Sequence, residues 1–255
     1  MITTKILVGA ALLAGANAAL AQAPAASSPA IDPVAMAALD RMGVYLRTLQ
    51  AFQVTAETSR EDVLDDGQKI VVGGTYDLLL SRPNGLWAEV TNDRQQREFF
   101  YDGKAFTLSA PRANLYATVP APSTLGELID RLFDEYDIEI PLADLFFWGT
   151  PRGGTHDIHS ALDIGPAEVG GTSCEQYAFR QDALDWQVWI QLGAFPLPRK
   201  LVLTTLTDEA RPQFRSVLTW NLAPAFNDGA FTFTPPADAK KIPIRETAPR
   251  SGASK

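Results

Sequence analysis

Asp185-Trp186-Gln187-Val188-Trp189-Ile190-Gln191-Leu192, with Pro196-Leu197-Pro198-Arg199-Lys200-Leu201-Val202-Leu203 close behind, decides the fold class. Successive side chains of an extended strand point to opposite faces. Trp186, Val188, Ile190 and Leu192 therefore share one face, and Gln187, Trp189 and Gln191 share the other. Gly193 and the two prolines punctuate the run before Leu201 to Leu206 resumes it, which predicts a hairpin. A lone tryptophan between two amides makes a face that is half dry and half wet. Such a surface suits an internal cavity or an amphipathic ligand. Trp189 is expected to face that cavity and Trp186 the other side.

Outward from this hairpin the chain is rich in strands. Phe52, Val54 and Ala56 alternate with polar neighbours, and Asp65-Asp66-Gly67 makes a turn. Ile70 to Arg82 reads as a long strand interrupted by Gly73-Gly74, a bulge that would bend the sheet. Pro83-Asn84-Gly85 turns into Leu86 to Val90. Phe99-Phe100-Tyr101, Asp102-Gly103 and Phe106-Thr107-Leu108 form a hairpin signal, and Leu115 to Val119 adds a short strand. The second half offers strands at Ile158 to Ile164, Ala167 to Val169, Ser173 to Arg180, Trp186 to Leu192, Leu197 to Leu206, Phe214 to Leu222 and Phe231 to Phe233.

Helices interrupt this pattern twice. Asp32-Pro33 reads as an N-cap followed by proline at the first helical position, and Leu39, Met42, Leu46 and Leu49 form one stripe. Thr124 and Glu127 have capping-box spacing, and Leu125, Leu128, Ile129, Leu132, Phe133 and Tyr136 share one helical face. Pro141 restarts a shorter piece, Leu142 to Trp148. These elements predict an α+β fold in which about ten antiparallel strands curl into an incomplete β-barrel with a helical lid. A sheet plugged by helices explains strands that look apolar on both faces.

The chain has 255 residues, 46% of them hydrophobic, and a formal net charge of −8. Lys5 followed by the apolar run Ile6 to Ala16 and by small residues reads as a signal peptide over residues 1–23, cleaved after Ala21 or Ala23. Loss of Lys5 takes the charge to −9. The apolar run is too short to span a bilayer. The expected product is periplasmic: a flexible leader over residues 24–31, one half-barrel domain over residues 32–244 and a disordered tail over residues 245–255. An acidic protein of this kind is not expected to bind nucleic acid or to dock on anionic lipid. Cys174 is the only cysteine, so no internal disulfide can form, and a buried apolar role is expected for it.

Two segments resemble the periplasmic lipoprotein carriers of the LolA/LolB-like superfamily. One is Gly74-Thr75-Tyr76-Asp77-Leu78-Leu79-Leu80-Ser81-Arg82-Pro83-Asn84-Gly85-Leu86-Trp87, similar to the carriers' strand ending in Arg-Pro, and the other is the hairpin Tyr101-Asp102-Gly103-Lys104-Ala105-Phe106. Nearly the whole mature chain resembles a family of predicted periplasmic proteins of unknown function (DUF2092-like). Its marks here are Asp102-Gly103-Lys104, Tyr116-Ala117, Pro120-Ala121-Pro122, Pro141-Leu142-Ala143-Asp144-Leu145, Asp185 to Ile190 and Pro196 to Lys200. The carrier resemblance implies that Arg82 bonds to the lid and sets open against closed. The competing reading of Arg82 is a strand-end cation paired with a nearby acid. Leu86 stands where the carriers have an aromatic residue.

No P-loop, dinucleotide-binding glycine pattern or G-x-S-x-G elbow is present, and no cofactor is expected. His156 and His159 lack a third metal ligand at suitable spacing, and Ser160 beside His159 does not make a catalytic pair by adjacency. No enzymatic activity is expected. Asp134, Glu135, Asp137 and Glu139 read as a solvated helix end. The candidate ligand-binding residues are Arg82, Leu86, Trp87, Phe100, Leu132, Phe133, Trp148 and Trp189, although the aromatic ones are also what any large β core would use. The expected partner is a hydrophobic ligand or lipidated protein, bound by a monomer. An interaction module that recognises an envelope protein is the alternative.

Overall fold

The computed structural model describes residues 31–246, apart from 141, 143, 149, 151–154 and 228. The signal peptide, nearly all of the leader, the helix start at Pro141 and the tail from residue 247 lie outside the described residues.

Asp32 caps the first helix, α1 (Pro33–Thr48), accepting the Val34 N–H on Oδ1 at 2.8 Å. Proline at the next position has no N–H to leave unpaired. Ala35, Ala38, Leu39, Met42 and Leu46 form the buried stripe. In α2 (Leu125–Tyr136), the Thr124 hydroxyl accepts the Glu127 N–H at 3.4 Å and donates to the Glu127 carboxylate at 2.8 Å. The residues predicted for a capping box thus meet through their side chains. Asp137, at φ 54°, ends the helix in the left-handed conformation. A third piece, α3 (Asp144–Phe147), follows.

The strands are β1 (Ala51–Val63), β2 (Lys69–Ser81), β3 (Gly85–Asn92), β4 (Gln96–Tyr101), β5 (Ala105–Ala110), β6 (Leu115–Pro120), β7 (Ser160–Val169), β8 (Thr172–Arg180), β9 (Leu184–Gln191), β10 (Pro198–Thr205), β11 (Gln213–Asn221) and β12 (Lys240–Lys241). They form one open sheet in the order β12-β6-β5-β4-β3-β2-β1-β11-β10-β9-β8-β7. All pairings are antiparallel except that of the two-residue β12 with β6. A twisted open sheet this wide curls, and here it curls around the helices. One buried cluster joins α1 and α2 to Leu78, Leu80, Leu86, Tyr101, Phe106, Phe179, Trp186 and Val188 on the inner face.

Three expectations about the strands need correction. The register of β2 runs unbroken through Gly73 and Gly74 against β1, and its pairing with β3 begins at Gly74 without a shift, so no bulge lies there. The irregularities fall instead at Asp163/Gly165 in β7 and Pro198/Lys200 in β10. Gly74 is needed for close approach, because a Cβ at that position would sit 2.8 Å from the Thr91 carbonyl oxygen. Residues Ile158 to Val169 were expected as two strands, but β7 is one strand starting at Ser160. Phe231 to Phe233 is a turn followed by irregular chain. Its rings anchor the C-terminal segment on the outer face, Phe233 against Phe100 and Tyr116 at 5.2 and 5.0 Å.

Gly74→Val forces β2 and β3 apart. The variant is expected to lose ~1–3 kcal/mol in urea unfolding, and an unchanged midpoint would show that the sheet tolerates a side chain there.

Candidate functional site

Along each central strand the inner face passes from sealed to open. On β2, Leu80 and Leu78 are fully buried while Tyr76 is only partly so. On β3, Leu86 and Ala88 give way to Val90 in the same manner, and on β5, Phe106 gives way to Leu108. Same-face residues lie two positions apart, so each step moves ~7 Å along the sheet. The helices seal one end of the inner face, and the other end borders a cleft.

That cleft has a volume of about 870 Å³. Its sheet wall includes Tyr76, Val90, Phe99, Leu108 and Phe214, and its lid wall includes Ile129 and Phe133 of α2, then Ile138, Ile140, Leu142 and Phe147. Tyr76 and Phe214 stack with centroids 6.3 Å apart and planes 25° apart. Burial raises the Tyr76 pKa; the nearby Arg60 opposes that shift and Glu139 adds to it. Arg60 and Arg97 lie on the sheet side, and Asp130, Asp134, Asp137 and Glu139 on the lid side. The volume lies within the usual range for small-molecule sites of ~300–1,000 Å³.

The eight predicted site residues do not converge on this cleft. Phe133 lines it and is 39% exposed. Leu86, Leu132 and Trp148 are buried in the core that closes the cleft's sealed end. The Trp148 carbonyl accepts from Arg47 of α1 at 3.2 Å, which ties the chain just after α3 to α1. Trp87 pairs with Phe100 across β3 and β4 on the outer face, where Phe100 borders a second cavity of about 400 Å³ under the C-terminal segment.

Trp189 also lies on the outer face. The expected orientation of the two β9 tryptophans is reversed. Trp186 stacks on Phe179 at 4.2 Å within the main core, whereas Trp189 joins Cys174 and Val202 in a separate outer cluster with Lys200 Nζ 4.3 Å from its ring centre. The alternation was read correctly, but which face the helices cover is a long-range fact. Cys174 is fully buried, as expected, and burial raises its thiol pKa.

Arg82 fits neither reading of it fully. Its Nε donates to the Leu49 carbonyl at 3.0 Å, and its backbone N–H donates to the Gln50 carbonyl at 2.8 Å. It thus ties the end of β2 to the C-terminus of α1, and among the described residues it makes no ion pair. Burial lowers its pKa.

The sequence reading missed Tyr76, Val90, Leu108 and Phe214. The available signal was the continuation of each core-facing alternation beyond the residues needed to pack the helices.

Elsewhere, His159 Nε2 lies 2.7 Å from Asp182 Oδ1 in an exposed pair, and Ser160 is buried at the start of β7. Among the described residues no group of three or more His, Cys, Asp or Glu side chains could hold a metal ion. No helix among them is long and apolar enough to cross a membrane.

Glu98, beside Phe100, has its carboxyl pKa raised above 4.5, chiefly by burial; Glu89, opposite it in register, adds to the rise and a hydrogen bond with Ser109 opposes it. A raised carboxyl pKa contributes stability that is fully present below the unfolded value and is lost as pH rises through the folded value. Glu98→Gln is therefore expected to melt higher than the wild type at neutral pH, with the gap closing below pH 4.5. A gap that widens in acid would contradict this reading.

A family model described as "Predicted periplasmic protein (DUF2092)" matches residues 35–245. Among solved structures, lipoprotein LppX of Mycobacterium tuberculosis is similar with a TM-score of 0.46 and 12% identity, over 77% of this chain and 100% of that one. A LolA superfamily protein of Nitrosomonas europaea gives 0.36 and 11%, over 78% and 97%. The MucA/MucB complex of Pseudomonas aeruginosa gives 0.41 and 17%, over 75% of this chain and 59% of that one. Likenesses this distant carry no function across, and no protein of curated function matches the chain.

Proposed function

The chain belongs to the DUF2092 family of predicted periplasmic proteins, and from that premise we propose that it is a periplasmic carrier holding a hydrophobic ligand between its curved sheet and its helical lid. The ligand is an acyl chain, a lipid or the lipid of a lipidated protein. The supporting observation is the cleft of about 870 Å³, whose mixed lining places aromatic and aliphatic side chains beside the sealed core and exposed charged residues around them. That arrangement suits a molecule with an apolar body and a polar end. On this reading residues 1–23 direct export, and residues 32–244 act as one unit and as a monomer.

Binding is mainly hydrophobic. Removing ~200 Å² of apolar surface from water contributes ~5 kcal/mol before the costs of immobilising the ligand. Entry requires the lid to move away from the sheet. Arg131 of α2 donates to the Pro120 carbonyl at 3.0 Å, and Arg47 holds the Trp148 carbonyl. These two contacts limit that movement at either end of the lid.

A fluorescent long-chain fatty acid is expected to bind the purified protein and to be displaced by unlabelled lipid. Phe133→Asp, at a partly exposed position, is expected to weaken that binding at least tenfold, or ~1.4 kcal/mol, with little change in melting temperature. A protein that takes up no probe but captures one stoichiometric, lipid-free partner would favour the interaction module instead.

A further inference from the structure

We propose that the ligand is a zwitterionic amphiphile, whose single head group carries a phosphate-like anion and an ammonium-like cation. This inference rests on the carrier reading and adds the chemistry of the head.

The two walls of the cleft have opposite charge. Arg60 and Arg97 stand on the sheet wall, on β1 and β4, while Asp130 and Asp134 of α2 and then Asp137 and Glu139 stand on the lid wall. Between them lie Tyr76, Val90, Leu108, Phe133 and Phe214. Both guanidinium-bearing residues are exposed, as are Asp134 and Glu139, so the charges occupy the mouth. The apolar lining leads from there to the buried core, so an acyl chain seated along it leaves its head between the two walls.

Arg60 shares its Nε and one terminal nitrogen with Asp62, at 2.7 and 3.3 Å, and its other terminal nitrogen is not engaged in that pair. The Arg97 side chain makes no hydrogen bond or ion pair among the described residues. A guanidinium presents a planar fork of donors that matches phosphate oxygens. The lid carboxylates suit an ammonium a few bonds away. Arg60, Tyr76 and Glu139 all line this one cleft.

The charge balance separates the head-group classes. Carboxylates at the mouth outnumber guanidiniums two to one. A purely anionic head therefore meets net repulsion, a purely cationic head leaves Arg97 without a counterpart, and a neutral head gains nothing from either wall. Only a head bearing both signs satisfies both.

Four tetradecyl amphiphiles with one chain and different heads test this: phosphocholine, trimethylammonium, sulfate and maltoside. Each displaces a fluorescent fatty acid from the full mature chain below its micelle concentration. Phosphocholine is expected to bind at least ~5-fold more tightly than sulfate or maltoside in low salt, with the difference shrinking in high salt. Arg97→Gln and Asp134→Asn are each expected to bring the phosphocholine-to-maltoside affinity ratio toward one. A ratio taken within one variant does not depend on how much of that variant is folded. Equal affinity for all four heads, or tightest binding of any head other than phosphocholine, trimethylammonium included, overturns the head-group inference and leaves the carrier reading in place. Failure of every amphiphile to bind overturns both.

Discussion

The inner face of the sheet needs more apolar cover than its helices provide. Twelve strands present a long concave surface, and α1 and α2 seal only one end of it. Where the helices stop, the same-face residues Tyr76, Val90 and Leu108 remain partly exposed, continuing rows whose other members are fully buried. A surface that is apolar, concave and left partly open favours a ligand for the same reason that it favours a core. The cleft is a consequence of incomplete plugging, and its walls need no residue type that the core lacks.

The arrangement also explains the division of labour between the two faces. The large aromatic side chains of the outer face are covered without helices. The C-terminal segment crosses it, with Phe231 against Gly85 and Phe233 against Phe100 and Tyr116, and ends in parallel pairing of β12 with β6. On the far side Lys200 lies over Trp189, and Arg199 donates to Gln191. Long cationic side chains can cover apolar surface with their stems while their heads stay wet. The outer tryptophan is thus protected by local packing, and the inner one by the helices.

Much of this was legible in the sequence because it is local. Asp32-Pro33, Thr124 with Glu127, the alternation of Asp185 to Gln191 and the Asp102-Gly103 turn all place their elements correctly. Alternation defines two faces of a strand but not which one the helices will cover. That is why Trp186 and Trp189 were exchanged, and why Trp87 and Phe100 were assigned to a cavity from which the sheet separates them. Gly74 looked like a bulge because sequence shows only a missing side chain, whereas the reason for its absence is the Thr91 carbonyl on the next strand. Phe231 and Phe233 looked like a strand, yet their partners Gly85, Phe100 and Tyr116 lie more than a hundred residues away. The open end of the cleft depends on where α1 and α2 stop against strands from both halves of the chain, which no window of the sequence contains.

The most direct test of the account is photo-crosslinking with a fatty acid bearing a photoreactive group in its chain, with the labelled residues mapped by mass spectrometry. The account predicts labels on Tyr76, Val90, Leu108, Phe133 and Phe214, which line the inner cleft. Labels concentrated on Phe100 and Phe233, or no saturable labelling at all, would contradict it.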